Sequence, residues 1–307
     1  MANTRELRRR IRSIKNTSQI TKAMQMVAAT KMRRAQNQAL GGRPYSENLN
    51  QALERLLPKV DMESHPLLGG RKIATSSPSA RPRNDGKVGM ILLTTDKGLV
   101  GALNTNLMRM IVSSHIGSGN VVFYTVGKKG RSFVVRTGKD LVADFENVDQ
   151  VSFRQAVQLS KLITEAFLAG ELGEVYLVYP HFVSTLRQEA KRVKLLPIDL
   201  QSVILGNEVT PESKMKDSGQ ARMTSSSEFL FEPDPDALLD FILVHHIQTR
   251  IYQALLETKA SEYSARMVAM KNATDNALEL VSDLQLTYNQ VRQDSITKEI
   301  LEIATAS

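Results

Sequence analysis

The chain has 307 residues, with 40 Lys and Arg against 32 Asp and Glu, and 42% of its residues are hydrophobic. This length predicts two domains, or one domain with an extended element, and the composition is sufficient for a core and excludes wholesale disorder. The sequence has no Cys, which excludes disulfides, thiolate metal sites and a Cys nucleophile. No apolar run is long enough to span a bilayer, and the first residues lack the apolar stretch of a secretory signal.

The positive charge is concentrated at the start of the chain. Residues 1–34 contain ten Lys or Arg and a single acid, Glu6, so this segment carries a net charge of +9 and the remaining residues sum to −1. Such a segment is expected to meet an anionic surface, namely nucleic acid, anionic lipid or an acidic protein loop.

The first element in chain order is helical. Residues 1–40 contain neither Gly nor Pro, and their apolar side chains recur at steps of three and four, which is helix spacing. Gly41, Gly42 and Pro44 interrupt the pattern, which then resumes and stops near Pro58. The sequence allows either one long helix with a kink or two successive helices.

The middle of the chain has short β-rich runs separated by helical patterns. The helical patterns cover 104–114 and 152–168, and the predicted strands are residues 88–95, 120–127, 174–180 and 192–199. These runs do not alternate between polar and apolar residues, which is typical of strands buried on both faces of a parallel sheet. Polar stretches at 75–87 and 206–227 are predicted to be loops.

The last element is a second, longer helix. Residues 236–307 contain neither Gly nor Pro, and one helix of that length would extend about 108 Å, farther than a single globular domain. Within it, steps of three and four give the 3.5-residue repeat of a coiled-coil seam. The predicted seam residues are Met267, Met270, Thr274, Ala277, Val281, Leu284, Tyr288 and Val291.

The simplest way to bury both helical stripes is to pack them against each other. We therefore predict an α/β protein in which the N- and C-terminal helices form a long antiparallel coiled coil, with a Rossmann-like α/β domain inserted at one end. The expected boundaries are 1–60 for the first helix, 86–205 for the α/β domain, 206–232 for a loop or foot, and 236–307 for the second helix. The tip of the second helix should project past the start of the first.

The sequence offers no convincing catalytic, cofactor or metal site. Gly117-Ser118-Gly119 lacks the third Gly of a dinucleotide fingerprint, and Gly127-Lys128-Lys129-Gly130 lacks the spacing of a P-loop, so both are interpreted as turns at strand ends. None of the five His residues has a metal-ligand spacing. We expect no cofactor, no metal and no covalent chemistry in this chain.

Two alternative functions are compatible with these patterns. A basic helix beside a coiled coil occurs in DNA-binding zipper proteins, but here the heptads lie at the far end of the chain, and residues 1–44 contain no aromatic side chain for stacking on bases. An α/β enzyme with helical oligomerisation arms would need a nucleotide at the strand ends. Contact between the basic helix and an acidic protein surface is the preferred interpretation.

Five segments, in order along nearly the whole chain, resemble the gamma subunit of F-type ATP synthases. They are ELRRRIRSIKNTSQITKAMQMVAATKMRRAQ at 6–36, LTTDKGLVGALN at 93–104, FEPDPDALL at 231–239, ARMVAMKNATDNA at 265–277 and RQDSITKEILEI at 292–303. Val100 stands where many members have Cys, and the Cys-bearing insertion of chloroplast members is missing. No organellar presequence precedes the first motif, so a bacterial source is expected.

The resemblance implies a rotor shaft. The coiled coil would stand inside a ring of alternating alpha and beta subunits, and the α/β domain, with the epsilon subunit, would sit on the ring of membrane c subunits. Catalysis would belong to the beta subunits, so this chain would be a non-catalytic part of a proton-transporting ATP synthase. No nucleic-acid partner is implied, and the chain would be held at the cytoplasmic face of the bacterial plasma membrane only through its partners.

The resemblance also implies contact residues. Arg292 and Gln293 match the pair that hydrogen-bonds a catch loop of one beta subunit. The full set assigned to the alpha and beta subunits is Lys22, Met24, Met26, Arg266, Met270, Arg292, Gln293, Thr297 and Glu299. The foot near the epsilon subunit and the c ring is assigned Phe229, Phe231 and Asp234. An apolar, low-friction tip is expected at Ile296, Ile300, Leu301 and Ile303.

Overall fold

The computed structural model describes residues 4–56, 65–68, 87–113, 120–198 and 235–306. The predicted loop at 206–227 lies outside these residues, as does the predicted loop at 75–87 except for Lys87. The expected domain limits at 60, 86, 205 and 232 also fall outside them and stay predictions.

The N-terminal helix α1 (Thr4–Leu56) is a single helix of 53 residues. It continues through Gly41, Gly42 and Pro44, so one helix rather than two is formed. The C-terminal helix comes close at this point: a Cβ on Gly42 would lie 3.3 Å from Oε1 of Gln253, and Nε2 of Gln253 donates to the carbonyl oxygen of Ala39 at 3.4 Å. Tertiary packing therefore supports the helix where its local signals are weakest.

The C-terminal helix α5 (Pro235–Ala306) has 72 residues and runs antiparallel to α1. Near the free end, Nη2 of Arg8 donates to the Tyr288 hydroxyl at 2.7 Å. Farther along, the hydroxyls of Thr21 and Thr274 lie 2.7 Å apart, and Tyr45 hydrogen-bonds the ring of His245. Residue numbers thus rise on α1 as they fall on α5, which confirms the predicted antiparallel coiled coil.

The predicted seam of α5 faces α1. Among residues 271–299, all of which the structure describes, the side chains that are not fully exposed belong to the predicted seam positions and to Ala273. Met270 and Val281 are buried and Leu284 is half-buried. The stripe of α1 contributes buried side chains from Leu7, Ala28, Met32 and Ala35.

The inserted domain contains a five-stranded sheet in the order β3-β2-β1-β4-β5. Its strands are β1 (Lys87–Leu93), β2 (Val121–Val126), β3 (Asp140–Phe145), β4 (Leu172–Phe182) and β5 (Gln188–Leu196). β1 to β4 are parallel, as predicted for the first three runs.

Two strand predictions need correction. The run at 192–199 is not a parallel strand, because β5 pairs antiparallel with β4. The connection between β4 and β5 is too short for the crossover that a parallel pair requires. β3 was not predicted at all. Its sequence DLVADF alternates between exposed and half-buried residues, which is typical of an edge strand rather than a buried one.

Helices cover both faces of the sheet. α4 (Phe153–Leu168) and the first half of α5 pack on one face, where Leu159 and Leu243 join Ile91 and Val175 in one core. α2 (Leu103–Ser113) and α3 (Lys128–Arg136) cover the other face around Phe123. α5 is therefore both a layer of the domain and half of the coiled coil.

The sequence predicted a turn across Gly127–Gly130, and this prediction is wrong for all but Gly127. Gly127 follows β2, but Lys128 to Gly130 form the first turn of α3. The glycines are required by close packing on Thr94: a Cβ on Gly127 would lie 2.3 Å from the Thr94 carbonyl oxygen, and a Cβ on Gly130 would lie 2.8 Å from Oγ1 of Thr94. A glycine inside the first helical turn masked the helix in the sequence.

We predict that Gly127→Ala destabilises the chain by about 2–5 kcal/mol, because φ is positive and the new methyl group would overlap backbone atoms. The φ of Gly127 is 101°. Urea titration followed by tyrosine fluorescence measures the change. Gly98→Ala is the matched control, since a Cβ there meets no atom within 4 Å; equal losses for the two variants would contradict this account.

A second prediction concerns the seam. Leu284→Ala removes a half-buried side chain from the α1–α5 interface and should cost about 1–2 kcal/mol, below the range for fully buried leucines. Leu286→Ala makes the same chemical change at a side chain that is 69% exposed, and it should cost less than about 0.5 kcal/mol. Thermal unfolding followed by circular dichroism compares the two, and a larger loss at Leu286 would show that the register is wrong.

Candidate functional site

The free end of α5 has no covering helix in the described structure. Leu7 is buried and the Arg8 guanidinium lies 5.6 Å from the centre of the Tyr288 ring. Beyond this level every α5 side chain from 292 to 305 is exposed. Ile300 and Ile303 are 60% and 70% exposed. The expected apolar tip therefore projects past the start of α1, and a bare apolar surface of this kind marks a contact site.

The contact residues assigned near the tip all lie on this projecting segment. Arg292, Gln293, Thr297 and Glu299 are exposed. The Thr297 hydroxyl donates to the carbonyl oxygen of Gln293 at 2.9 Å. The other three side chains are likewise open to a partner.

A second group of assigned residues lies lower on the coiled coil. Lys22 and Met26 are exposed, Met24 is half-buried, and Met270 is buried in the seam with 4% exposure. Met270 therefore packs between the helices. From Met270 to Arg292 the helix rises about 33 Å, so the assigned residues form two separate zones. Phe229, Phe231 and Asp234 lie outside the described residues.

Arg266 belongs to a third group, which the sequence analysis did not predict. Its side chain is 11% exposed and its Nη2 lies 2.8 Å from Oε1 of Glu262. On the preceding turn, Nζ of Lys259 lies 3.3 Å from Oε2 of Glu262, and these two side chains are 4% and 6% exposed. Three charged side chains on successive turns of α5 are thus buried together where the helix leaves the sheet.

The loop after β3 ties this group to both long helices. Nζ of Lys259 donates to the backbone oxygen of Asn147 at 2.8 Å. The Tyr263 hydroxyl donates to Oδ1 of Asp149 at 3.1 Å, and Nζ of Lys31, on α1, donates to Oδ2 at 2.6 Å. We call the residues Lys31, Asn147, Asp149, Lys259, Glu262, Tyr263 and Arg266 the collar.

The collar shifts the titration of its members. Hydrogen bonds from Lys31 and then from Tyr263 hold the pKa of Asp149 below its ordinary value. Burial raises the pKa of Tyr263, and the charge of Asp149 adds to this effect. Burial lowers the pKa of Lys259, while Glu262 acts in the opposite direction. Thus Lys31 favours the ionised form of Asp149, and Glu262 partly offsets the effect of burial on Lys259.

The carboxyl edge of the sheet is filled by the chain itself. In open α/β sheets, ligands bind in the crevice outside the strand ends, where the strand order reverses. Here Nδ2 of Asn147 donates to the Thr94 carbonyl at 2.6 Å, and the Ser261 hydroxyl donates to the Pro180 carbonyl at 2.9 Å. α5 thus occupies the place where a dinucleotide lies in an enzyme of this architecture, which disfavours the α/β-enzyme alternative.

Neither a metal-ligand cluster nor a bilayer-spanning helix is found among the described residues. Within them, no three His, Asp or Glu side chains converge as metal ligands. Across the same ranges, no helix combines the length and apolarity needed to cross a bilayer.

Comparison with known proteins agrees with this geometry. A family described as ATP synthase matches residues 3–307. The ATP synthase gamma chain of Methylacidiphilum infernorum is 43% identical over 311 residues, covering 100% of this chain and 98% of the relative. That of Opitutus terrae is 42% identical over 309 residues, with 100% and 98% covered. The chain belongs to the ATP synthase gamma chain family.

Solved structures share the fold of this gamma-family chain. A chain in the central stalk and c-ring structure of the Tetrahymena thermophila mitochondrial ATP synthase aligns with a TM-score of 0.57 at 24% identity, covering 83% of this chain and 99% of that one. A chain in a structure of the Euglena gracilis mitochondrial ATP synthase aligns with a TM-score of 0.62 at 21% identity, covering 99% and 93%. The resemblance found in the sequence is confirmed.

The lowered pKa of Asp149 makes its contribution to stability depend on pH. A depressed carboxyl pKa stabilises the fold above the unfolded pKa, and this stabilisation is lost as pH falls through the folded value. We therefore predict that Asp149→Asn lowers the urea midpoint at about pH 7 and that the difference from the unchanged chain narrows as the pH falls below the ordinary Asp pKa of 3.8.

The matched control for this pH dependence is Asp140→Asn, which removes an exposed carboxylate from the edge strand β3. Its urea midpoint should stay close to that of the unchanged chain at both pH values. A difference for Asp149→Asn that grows on acidification would contradict the assignment.

Proposed function

We propose that this chain is the central rotor shaft of a membrane ATP synthase and couples ion-driven rotation of a c ring to conformational change at catalytic beta subunits. The chain itself is non-catalytic in this proposal. The observation that carries it is the coiled coil that leaves the α/β domain and ends in a bare apolar tip. Family membership over the full length supports the same role.

Two unlike helices make an asymmetric shaft. α1 carries the basic segment and begins near the level of Tyr288, and beyond that level no other described element covers α5. Identical partners arranged around such a shaft meet different surfaces, and a partner shifts an equilibrium only as far as it binds two states unequally. A thousandfold bias at one site needs a contact difference of about 4 kcal/mol.

We propose different partners for the two ends of the molecule. Alpha and beta subunits surround the coiled coil, and the α/β domain, with the epsilon subunit, contacts the c ring. Acidic loops of the beta subunits suit the basic surface of α1 around Lys22 and Met26. Arg292, Gln293, Thr297 and Glu299 form the upper contact, and Met24 forms the lower one. Met270, which is buried in the seam, and Arg266, which is 11% exposed, act at the lower contact through packing. Phe229, Phe231 and Asp234 form the foot.

We place the chain as a peripheral subunit at the cytoplasmic face of a bacterial plasma membrane, held there through its partners. The relatives from Methylacidiphilum and Opitutus are bacterial gamma chains, which supports this location. In this proposal the chain has no nucleic-acid partner.

A rotation assay tests the proposed function. Val112 is exposed on α2, and the chain has no native Cys. Val112→Cys therefore gives this chain a single attachment point for a bead. In an assembly with alpha and beta subunits, ATP hydrolysis should turn the bead, and holding the bead should stop hydrolysis. Hydrolysis that continues with the bead immobile would overturn the proposal.

The same assay tests the upper contact zone. Arg292→Ala with Gln293→Ala removes a charge-assisted hydrogen-bonding pair and should slow bead rotation about tenfold. Arg154→Ala with Gln158→Ala removes the same residue types from exposed positions on α4 and should leave the rate unchanged. Equal rates for both double variants would remove Arg292 and Gln293 from the contact.

A further inference from the structure

The collar lies where α5 leaves the sheet and the coiled coil begins to project from the α/β domain. Up to residue 256, α5 packs on the sheet through side chains such as Leu243, Ile247 and Ile251. From residue 271 to 299 its buried and half-buried side chains lie along the seam, where Thr274 meets Thr21 and Tyr288 meets Arg8 of α1. The projecting arm from 267 to 306 is about 60 Å long. A sideways force on such an arm bends it most strongly at its fixed end, which is the collar.

The chemistry of the collar is unusual for a helix–sheet contact. Lys259, Glu262 and Arg266 are nearly buried, and buried ion pairs add less stability than apolar residues of the same size. Their benefit is directional: a hydrogen bond fixes the position of one group relative to another, whereas apolar contacts tolerate sliding. The collar therefore favours one geometry more than it raises overall stability.

The bonds of the collar leave the shaft little freedom to rotate or slide. The loop after β3 holds α5 through Lys259 and Tyr263, and it holds α1 through Lys31. Around the same level of α5, Nη2 of Arg266 donates to the carbonyl of Gly98 at 3.4 Å and the Ser264 hydroxyl donates to that of Thr185 at 2.6 Å. Three separate loops of the domain thus hydrogen-bond to this part of α5.

We propose that the collar is a clamp that fixes the angle between the coiled coil and the α/β domain, so that rotation of either part is delivered to the other. Its members are positioning residues, which set the geometry of the shaft without touching a nucleotide. The role in delivering rotation rests on the proposed function, whereas the clamp itself is a property of this chain alone.

Distances between two spin labels test the clamp in the full-length chain. One label is attached at Val112→Cys on the domain and the other at Leu278→Cys on the projecting arm; both positions are exposed and the chain has no native Cys. The width of the distance distribution reports motion of the shaft against the domain. A reference pair, Val112→Cys with Val142→Cys, lies within the domain and reports whether the domain remains folded.

Lys259→Met with Glu262→Gln removes the two most deeply buried charges and leaves side chains of similar size. Arg266, which is 11% exposed, keeps an amide oxygen as its hydrogen-bond acceptor in place of the carboxylate. This double variant should broaden the Val112–Leu278 distribution about twofold while the reference pair stays narrow. Lys161→Met, at an exposed ion pair on α4, is the control and should leave both distributions unchanged. A double variant with an unchanged Val112–Leu278 width would overturn the proposal.

Asp149→Asn keeps the proposal falsifiable if the double variant does not fold. The Asp149 carboxylate is 62% exposed, so its replacement does not bury an unpaired group, yet it weakens the links to both helices. The distribution should broaden by a smaller factor, and no broadening would count against the clamp.

The consequence for rotation is measured separately. With the bead at Val112→Cys in the assembly with alpha and beta subunits, the double variant should still turn, but the bead should fluctuate over a wider angle during pauses. Broad spin-label distances with a bead that never turns would support the clamp and reject the proposed function. An unchanged pause width beside broad distances would reject the clamp's role in delivering rotation.

Discussion

The mutual burial of two apolar stripes, one at each end of the chain, is the constraint on which this structure depends. Neither α1 nor α5 can cover its stripe on the α/β domain alone, because both are far longer than the sheet is wide. Packing them antiparallel brings the chain ends together and leaves the α/β domain as an insertion between them. The same pairing fixes where the two-helix part of the shaft begins: α1 starts at Thr4, near the level of Tyr288, and within the described residues α5 extends beyond it uncovered.

Continuity of α5 joins the shaft to the domain. Its first half completes the core on one face of the sheet, and its second half forms the seam with α1. Because one unbroken helix belongs to both parts, displacing the shaft must either disturb the core of the domain or bend α5 where it leaves the sheet. Some of the basic residues of α1 are paired within the chain: Lys31 meets Asp149 and Arg10 meets Glu6. The exposed positive charge around Lys22 is available to a partner surface.

Sequence periodicity predicted the long-range architecture better than it predicted the sheet. The seam residues repeat over several turns, so their common face and its antiparallel partner could be predicted from spacing. β3 and the direction of β5 could not, because short alternating segments depend on which neighbours they meet. The collar was missed for a related reason. Lys259, Glu262 and Arg266 have the spacing of an ordinary solvated helix face, and the loops that contact them, such as the β3–α4 loop at Lys259, are distant in sequence. The small residues Ser261, Ser264 and Ala265 beside them were the available signal of close packing.

The two ends of the projecting arm use opposite kinds of contact, and the difference follows from what each must do in a rotating shaft. At the collar, buried ions and hydrogen bonds hold the helices at one angle, since each bond is lost when its partners move by more than about 1 Å. At the tip, Ile300 and Ile303 offer only dispersion contacts, which are weak, non-directional and nearly equal at every angle. A shaft needs both: a directional contact where it must not turn against its own domain, and a non-directional one where it must turn inside its partners.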